Sequence, residues 1–198
     1  MTINLKNFLS SNKKTSKMGD FQELKDIEGL QVSAVSADLY KNGRDDLAIF
    51  YFPEGSNYAV AYTKSSVVSE SINWNRKNNK NNIKALVVNT KNANTFTGEQ
   101  GLNSLDEIAK TLLESLKKLE NENDYEKTKL KEVLFASTGV IGEKFPLEKI
   151  KNNIPNLISN LKPYQNKLIW LKVASAIMTT DTKPKVAYSE IKLGDKII

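Results

Sequence analysis

The 198-residue chain carries a formal net charge of +6, with 39% hydrophobic and 26% charged residues, a balance that fits one globular domain and not a disordered or membrane-spanning chain. It has no cysteine and no histidine. Disulfides, thiol nucleophiles, thiolate or imidazole metal sites, and Ser-His-Asp or Cys-His catalysis from this chain alone are therefore excluded.

Any catalysis must draw on carboxylates, hydroxyls, lysines, backbone amides or a partner chain. The positive charge is almost all lysine, since Arg44 and Arg76 are the only arginines. Bidentate contacts to phosphate and guanine favour arginine, so a solvated lysine-rich surface is expected and not a nucleic-acid interface. No apolar run approaches the ~20 residues that span a bilayer. Met1 to Lys14 lacks the apolar core of a signal peptide, so a cytoplasmic protein with no membrane partner is expected.

Residues 1–28 read as a flexible, lysine-rich arm and 29–198 as the folded body. Leu30, Val32 and Ala34 alternate with polar residues and predict a strand. Lys41 to Asp45 predicts a tight Asn42-Gly43 hairpin turn into a second strand, Leu47 to Phe52, closed by Pro53, Glu54 and Gly55. Tyr58 to Tyr62 predicts another strand, and the polar run Asn73 to Asn82 a surface loop. Ile83 to Val88 reads as a buried central strand. Leu102, Leu105, Ile108, Leu112, Leu116 and Leu119 mark a helix, with Ser104 and Glu107 at capping-box spacing to start it. Val133 to Ala136 is a further short strand. Leu147 to Leu161 is helical in pattern, with Pro155 expected to interrupt and restart it. Leu168 to Met178 predicts a third helix ending at Thr179, and the tail from Val186 two short strands around Leu193-Gly194-Asp195. Strands that pair locally and then alternate with helices predict a mixed α/β sandwich, with helices covering the sheet.

Three segments suit chemistry. Asn92 to Gly101 follows a strand and precedes a helix, and its small residues allow close backbone approach. Ser137 to Pro146 places a Thr138-Gly139 pair at a strand end, where a hydroxyl and an adjacent amide can meet one developing negative charge. Ala176 to Lys185 sets three hydroxyls and one carboxylate just past a helix end. Taken singly, each is better read as a connector, a turn or a helix stop.

Taken in order, NANTFTGEQG from Asn92, STGVIGEKFP from Ser137 and AIMTTDTKPK from Ala176, together with KNGRDDLAI from Lys41, resemble the N-terminal half of the ornithine acetyltransferase (glutamate N-acetyltransferase) family. The resemblance runs from Gly29 to the end of the chain. It implies an αββα-type α+β sandwich, with 29–198 as the alpha-chain half of the acetyltransferase domain. It also implies a precursor that cuts itself before a threonine, the nucleophile of a beta chain whose own α-amine acts as base, so that no histidine is needed. Acetyl would pass from N-acetylornithine to that threonine and then to glutamate, in arginine biosynthesis, within an alpha2-beta2 heterotetramer. No resident cofactor is implied, although acetyl-CoA serves some members as acetyl donor. Residue by residue, Thr138 and Gly139 match the oxyanion-hole pair and Thr179 the substrate-binding threonine, with Thr180 its neighbouring alternative.

Two departures stand out: Lys91 where glycine is usual, and Ala61-Tyr62-Thr63-Lys64-Ser65 in place of the usual strand end. Two other readings stay open. One is an N-terminal-nucleophile hydrolase or aminopeptidase of related fold, and the other a non-catalytic lysine-rich binding module.

Overall fold

Apolar residues of one parity along Leu47–Ser56 (β2), Ile83–Asn89 (β3) and Val133–Ser137 (β4) face one way and those of the other parity the opposite way. The computed structural model describes residues 24–79, 82–194 and 196–197. It joins these strands and Gln31–Val35 (β1) into one sheet of order β1-β2-β3-β4. β1–β2 and β2–β3 are antiparallel and β3–β4 parallel, which puts Asn89 level with Leu47 on one side and Ser137 on the other. A parallel pair needs a crossover, and the helix Gly98–Glu122 supplies most of it.

Three helices cover one face: Glu70–Asn78 (α1), Gly98–Glu122 (α2) and Leu147–Ser159 (α3). Ile49, Tyr51, Val87, Val133 and Phe135 of the sheet pack there with Trp74, Leu105, Leu112, Leu116, Ile150 and Ile154 of the helices. Full burial of each such side chain contributes about 1.5–3 kcal/mol. On the opposite face Lys167–Ala176 (α4) sets Val173 and Ala176 against Val32, Ala34 and Ala48. The mixed sheet with covering helices is thus the α/β arrangement expected from the sequence. No helix among the described residues is long and apolar enough to cross a membrane.

Residues 1–23 of the expected N-terminal arm lie outside the described residues. Within 24–28, Gln165 holds the chain: its Oε1 accepts from Ile27 N–H at 2.7 Å, and its N–H donates to Asp26 Oδ1 at 2.7 Å.

Several elements differ from expectation. The β1–β2 connection is not a two-residue turn, and only Gly43 of the Asn42-Gly43 pair has a positive φ. It is a longer loop wrapped around the buried Asp46 carboxylate, which accepts from the N–H groups of Ala37, Leu39 and Tyr40 at 2.7, 2.8 and 3.2 Å. β2 runs on through Pro53 to Ser56, its register shifting between Tyr51 and Ser56; such an irregularity lets a strand absorb a residue with no N–H. Tyr58 to Tyr62 is not a strand: Ala59, Val60 and Ala61 are exposed, and no ladder partner satisfies its backbone.

The region expected as a loop from Asn73 is largely helix α1. It is capped by Ser69, whose side chain accepts from Ser71 N–H, and it buries Ser71, Trp74 and Asn75. α2 begins at Gly98, so Ser104 does not start it. Ser104 is buried inside the helix, its hydroxyl donating to Gln100 O at 2.7 Å. α3 passes Pro155 without interruption, because the buried stripe Ile150, Ile154, Leu157 and Ile158 anchors it on both sides of the lost hydrogen bond. α4 ends at Ala176, three residues before Thr179. The tail pairs Lys192–Leu193 (β5) with Lys196–Ile197 (β6), as expected around Gly194.

Candidate active site

Because β3 and β4 are parallel, the loops that follow them leave the sheet at the same end. They then run side by side. Ala93 N–H donates to Val140 O and Val140 N–H to Lys91 O, both at 2.9 Å, and Gly142 N–H donates to Thr95 O at 2.9 Å. Asn92 forms the hinge of this pair. Its Oδ1 accepts from Asn94 N–H at 2.8 Å, an Asx-type turn, and its Nδ2 donates to Glu143 O at 3.1 Å and Lys144 O at 3.3 Å. Lys91, Asn94 and Phe96 all take left-handed backbone, with φ of 72°, 48° and 58°. Such residues cost about 1–3 kcal/mol each and persist only where the surroundings enforce them. Here α1 helps, since Ser69 Oγ and Glu70 N–H donate to Asn94 O at 3.1 and 2.7 Å.

The Thr138 N–H donates to Asn89 O at 3.1 Å and so continues the ladder one residue past β4. The half-buried Thr138 hydroxyl and the exposed Gly139 N–H have no acceptor among the described residues. Gly139 adopts φ 142°, and a Cβ there would lie 2.2 Å from the Lys91 carbonyl carbon and 2.6 Å from Asn92 N. Close packing of the two loops therefore admits only glycine. Adjacent residues thus offer one hydroxyl and one amide, both unmet, as oxyanion stabilisation requires.

Past the end of α4, Arg44 fastens the third segment. Its Nη2 donates to Ser175 O at 2.9 Å, which also accepts from Met178 N–H at 3.3 Å, and to Met178 O at 2.5 Å, two residues past the helix end. The Arg44 guanidinium lies 4.4 Å from the Tyr40 ring centroid, and Lys91 Nζ lies 5.8 Å from the same ring. Tyr40 and Arg44 thereby connect the β1–β2 loop, the loop after β3 and the segment leading to Thr179. Thr179 is half-buried next to the anchored Met178, whereas Thr180 is exposed. Thr138 and Gly139 thus follow β4, whereas the segment before Thr179 is tied through Arg44 to the β1–β2 loop at the same end of the sheet, and Thr180 is exposed. Burial pushes the nearby Asp45 carboxyl above its usual range, against the pull of Lys172 Nζ at 3.8 Å. No three His, Cys, Asp or Glu side chains converge as metal ligands among the described residues.

Sequence reasoning missed Asn89, Ser137, Asp46 and Arg44. Asp46 O accepts from Thr90 N–H at 3.0 Å and Thr90 Oγ1 at 3.2 Å, so one residue ties two site loops together. The available signals were an asparagine ending a mostly apolar strand, and one of only two arginines placed in a turn.

Comparison with known proteins places these features in a family. The ArgJ family model matches residues 31–198. The chain is 34% identical over 180 residues to the "Arginine biosynthesis bifunctional protein ArgJ" of Bartonella quintana, covering 90% of this chain and 40% of that protein. To the protein of the same name from Mesorhizobium japonicum it is 35% identical over 170 residues, covering 85% and 38%. It therefore spans about two fifths of the length of these curated relatives. Among solved structures, the ornithine acetyltransferase complexed with ornithine from Mycobacterium tuberculosis superposes with a TM-score of 0.69 at 25% identity, covering 81% of this chain and 83% of that one. The ArgJ protein of Bacillus halodurans gives 0.69 at 22% identity, covering 89% and 90%, a likeness of fold.

Proposed function

The chain belongs to the ArgJ family, and on that premise we propose that it is the N-terminal, alpha half of a glutamate N-acetyltransferase (ornithine acetyltransferase) of arginine biosynthesis. The beta half supplies the nucleophilic threonine, and the two halves come from one precursor. This chain spans a minor part of its curated relatives yet most of each crystallised chain, a disparity that supports a precursor cut in two. Assembly as an alpha2-beta2 heterotetramer is part of the same proposal.

In this reading the threonine hydroxyl of the beta half adds to the acetamide carbonyl of N-acetylornithine, and its proton passes to the threonine's own α-amine. The carbonyl oxygen gains negative charge. Thr138 Oγ–H and Gly139 N–H donate to it, and each such donor is worth about 2.7–4 kcal/mol in the transition state. Collapse breaks the C–N bond, the ornithine amine leaves with the returned proton, and acetyl remains on the threonine as an ester. The amine of glutamate then repeats the addition and leaves as N-acetylglutamate. Thr179 contacts the substrate from the segment that Arg44 holds, with Thr180 in reserve at its edge. Acetyl-CoA enters this scheme only as an alternative acetyl donor.

The observation that carries the proposal is the pair of unmet donors, Thr138 Oγ–H and Gly139 N–H, at the end of the parallel strands. Incubation of the complete protein with N-acetylornithine and glutamate tests it. Equal amounts of ornithine and N-acetylglutamate are expected. Free acetate without N-acetylglutamate would mark a hydrolase and overturn the transfer.

A further inference from the structure

We propose that Asn89 is a positioning residue for the Thr138–Gly139 donor pair, an inference that rests on the acyl-transfer reading above. An oxyanion hole works only if its donors sit about 2.7–3.1 Å from the developing charge, so something must fix Gly139 to within a few tenths of an ångström. Gly139 itself has no side chain, and its N–H has no protein acceptor among the described residues. Its position is set by what it leans on, the Lys91–Asn92 peptide, and by what precedes it, Ser137 and Thr138.

Asn89 holds both. Its side chain is 5% exposed. Its Nδ2 donates to Thr90 O at 3.2 Å and to Asn92 O at 3.0 Å, and so brackets the peptide against which Gly139 packs. Its Oδ1 accepts from Ser137 Oγ at 2.7 Å, and its carbonyl accepts from Thr138 N–H at 3.1 Å. Ser71 Oγ of α1 lies 2.7 Å from Ser137 Oγ and extends the chain of hydroxyls into the helix layer. The side-chain bonds of Asn89 go to the loop against which Gly139 packs and to Ser137, the residue before the donors. The β3–β4 ladder is already satisfied by its own backbone, and an apolar residue at this buried strand end would avoid the cost of desolvating an amide. The amide is thus placed where it serves the two loops and adds nothing to the ladder.

The test uses the complete protein. Asn89→Asp keeps the size but turns a carboxyl oxygen toward two carbonyls, and Asn89→Ala removes the tie. For each, kcat for acetyl transfer per mole of folded, processed protein should fall roughly 10- to 100-fold, with KM for N-acetylornithine within about twofold. Ser137→Ala, which spares both Nδ2 bonds of Asn89 and removes its Oδ1 link together with the Ser71 contact, should act in the same direction and more weakly, and it serves where Asn89 variants fold poorly. Combined with Thr138→Val, the loss should be less than the product of the single losses, because both act through the same donors. Hydrogen exchange should quicken at residues 91–95 and 138–142 while the sheet stays protected. A purely structural role would lower the melting temperature and leave kcat intact. That result, a loss confined to KM, or full multiplicativity with Thr138→Val would overturn the inference. If the unsubstituted protein transfers no acetyl at all, the acyl-transfer reading itself falls and this inference falls with it.

Discussion

Gly139 packs so tightly against Lys91 that a methyl group on its α-carbon would sit 2.2 Å from the Lys91 carbonyl carbon and 2.3 Å from its oxygen. Two loops from two parallel strands are therefore joined at the residue proposed to donate to the oxyanion. Gly139→Ala must push them apart and also strain a backbone at φ 142°. We predict a stability loss of about 1–3 kcal/mol, as for other overpacked sites. Urea denaturation would read it, alongside loss of most acetyl transfer.

Thr138→Val separates the hydroxyl from the fold. The Thr138 N–H bond to Asn89 O survives this change, and the side-chain shape is kept. Stability should hold while kcat falls about 10²–10³-fold, the loss typical of one oxyanion donor. Thr138→Ser should retain activity. Steady-state kinetics on both variants separates a donor from a packing residue.

Arg44 reaches two carbonyls, Ser175 O and Met178 O, with one nitrogen while it stacks on Tyr40. Lysine lacks the planar fork and the stacking face. Arg44→Lys and Arg44→Ala should both loosen the approach to Thr179. The expected signature is a rise in KM for N-acetylornithine larger than any fall in kcat.

The contact between α2 and α3 carries a pH test. Lys151 donates to Glu107 at 2.7 Å and holds its carboxyl below the usual glutamate range. A carboxyl depressed in the folded state adds stability above its unfolded value of about 4.3 and loses it as pH falls through the folded value. The melting-temperature gap between the unsubstituted protein and Glu107→Gln should therefore be constant from pH 5 to 8 and should close on acidification below about pH 4.3. Added salt should narrow it, because the pair is only partly buried.

Legibility in the sequence followed the physics of each element. β3 and α2 were readable because β3 is a short run of mostly apolar residues, broken before Asn89 only by Lys84, and an amphipathic helix repeats every three to four residues. α1 was not, because its buried stripe is Ser71, Trp74 and Asn75, with only one apolar residue to mark it. Its end signals were present all the same: Ser69 as cap, Glu70 in the first turn, and Arg76 and Lys77 in the last. Tyr58 to Tyr62 is a short apolar run with strand-prone residues but finds no ladder partner among the described residues, and propensity alone cannot supply one.

At the site, two of the motifs fall on the loops after β3 and β4, which run side by side. Burial, not spacing, distinguished Thr179 from the exposed Thr180. The Lys91 departure acquires a physical meaning, since it holds the left-handed φ of 72° at the position where relatives were expected to carry glycine. The hydrogen bonds of Asn89 and Arg44 join residues far apart in the chain, and no local pattern announces them.

The central claim is that Thr138 and Gly139 serve a nucleophile lying outside this chain. A single turnover of the complete protein with acetyl-labelled N-acetylornithine, in the absence of glutamate, tests it most directly by mass spectrometry. The account predicts two chains, with the label on the N-terminal threonine of the second and its transfer to glutamate when glutamate is added. An active protein that remains one uncut chain, or a label found on this chain instead, would contradict it.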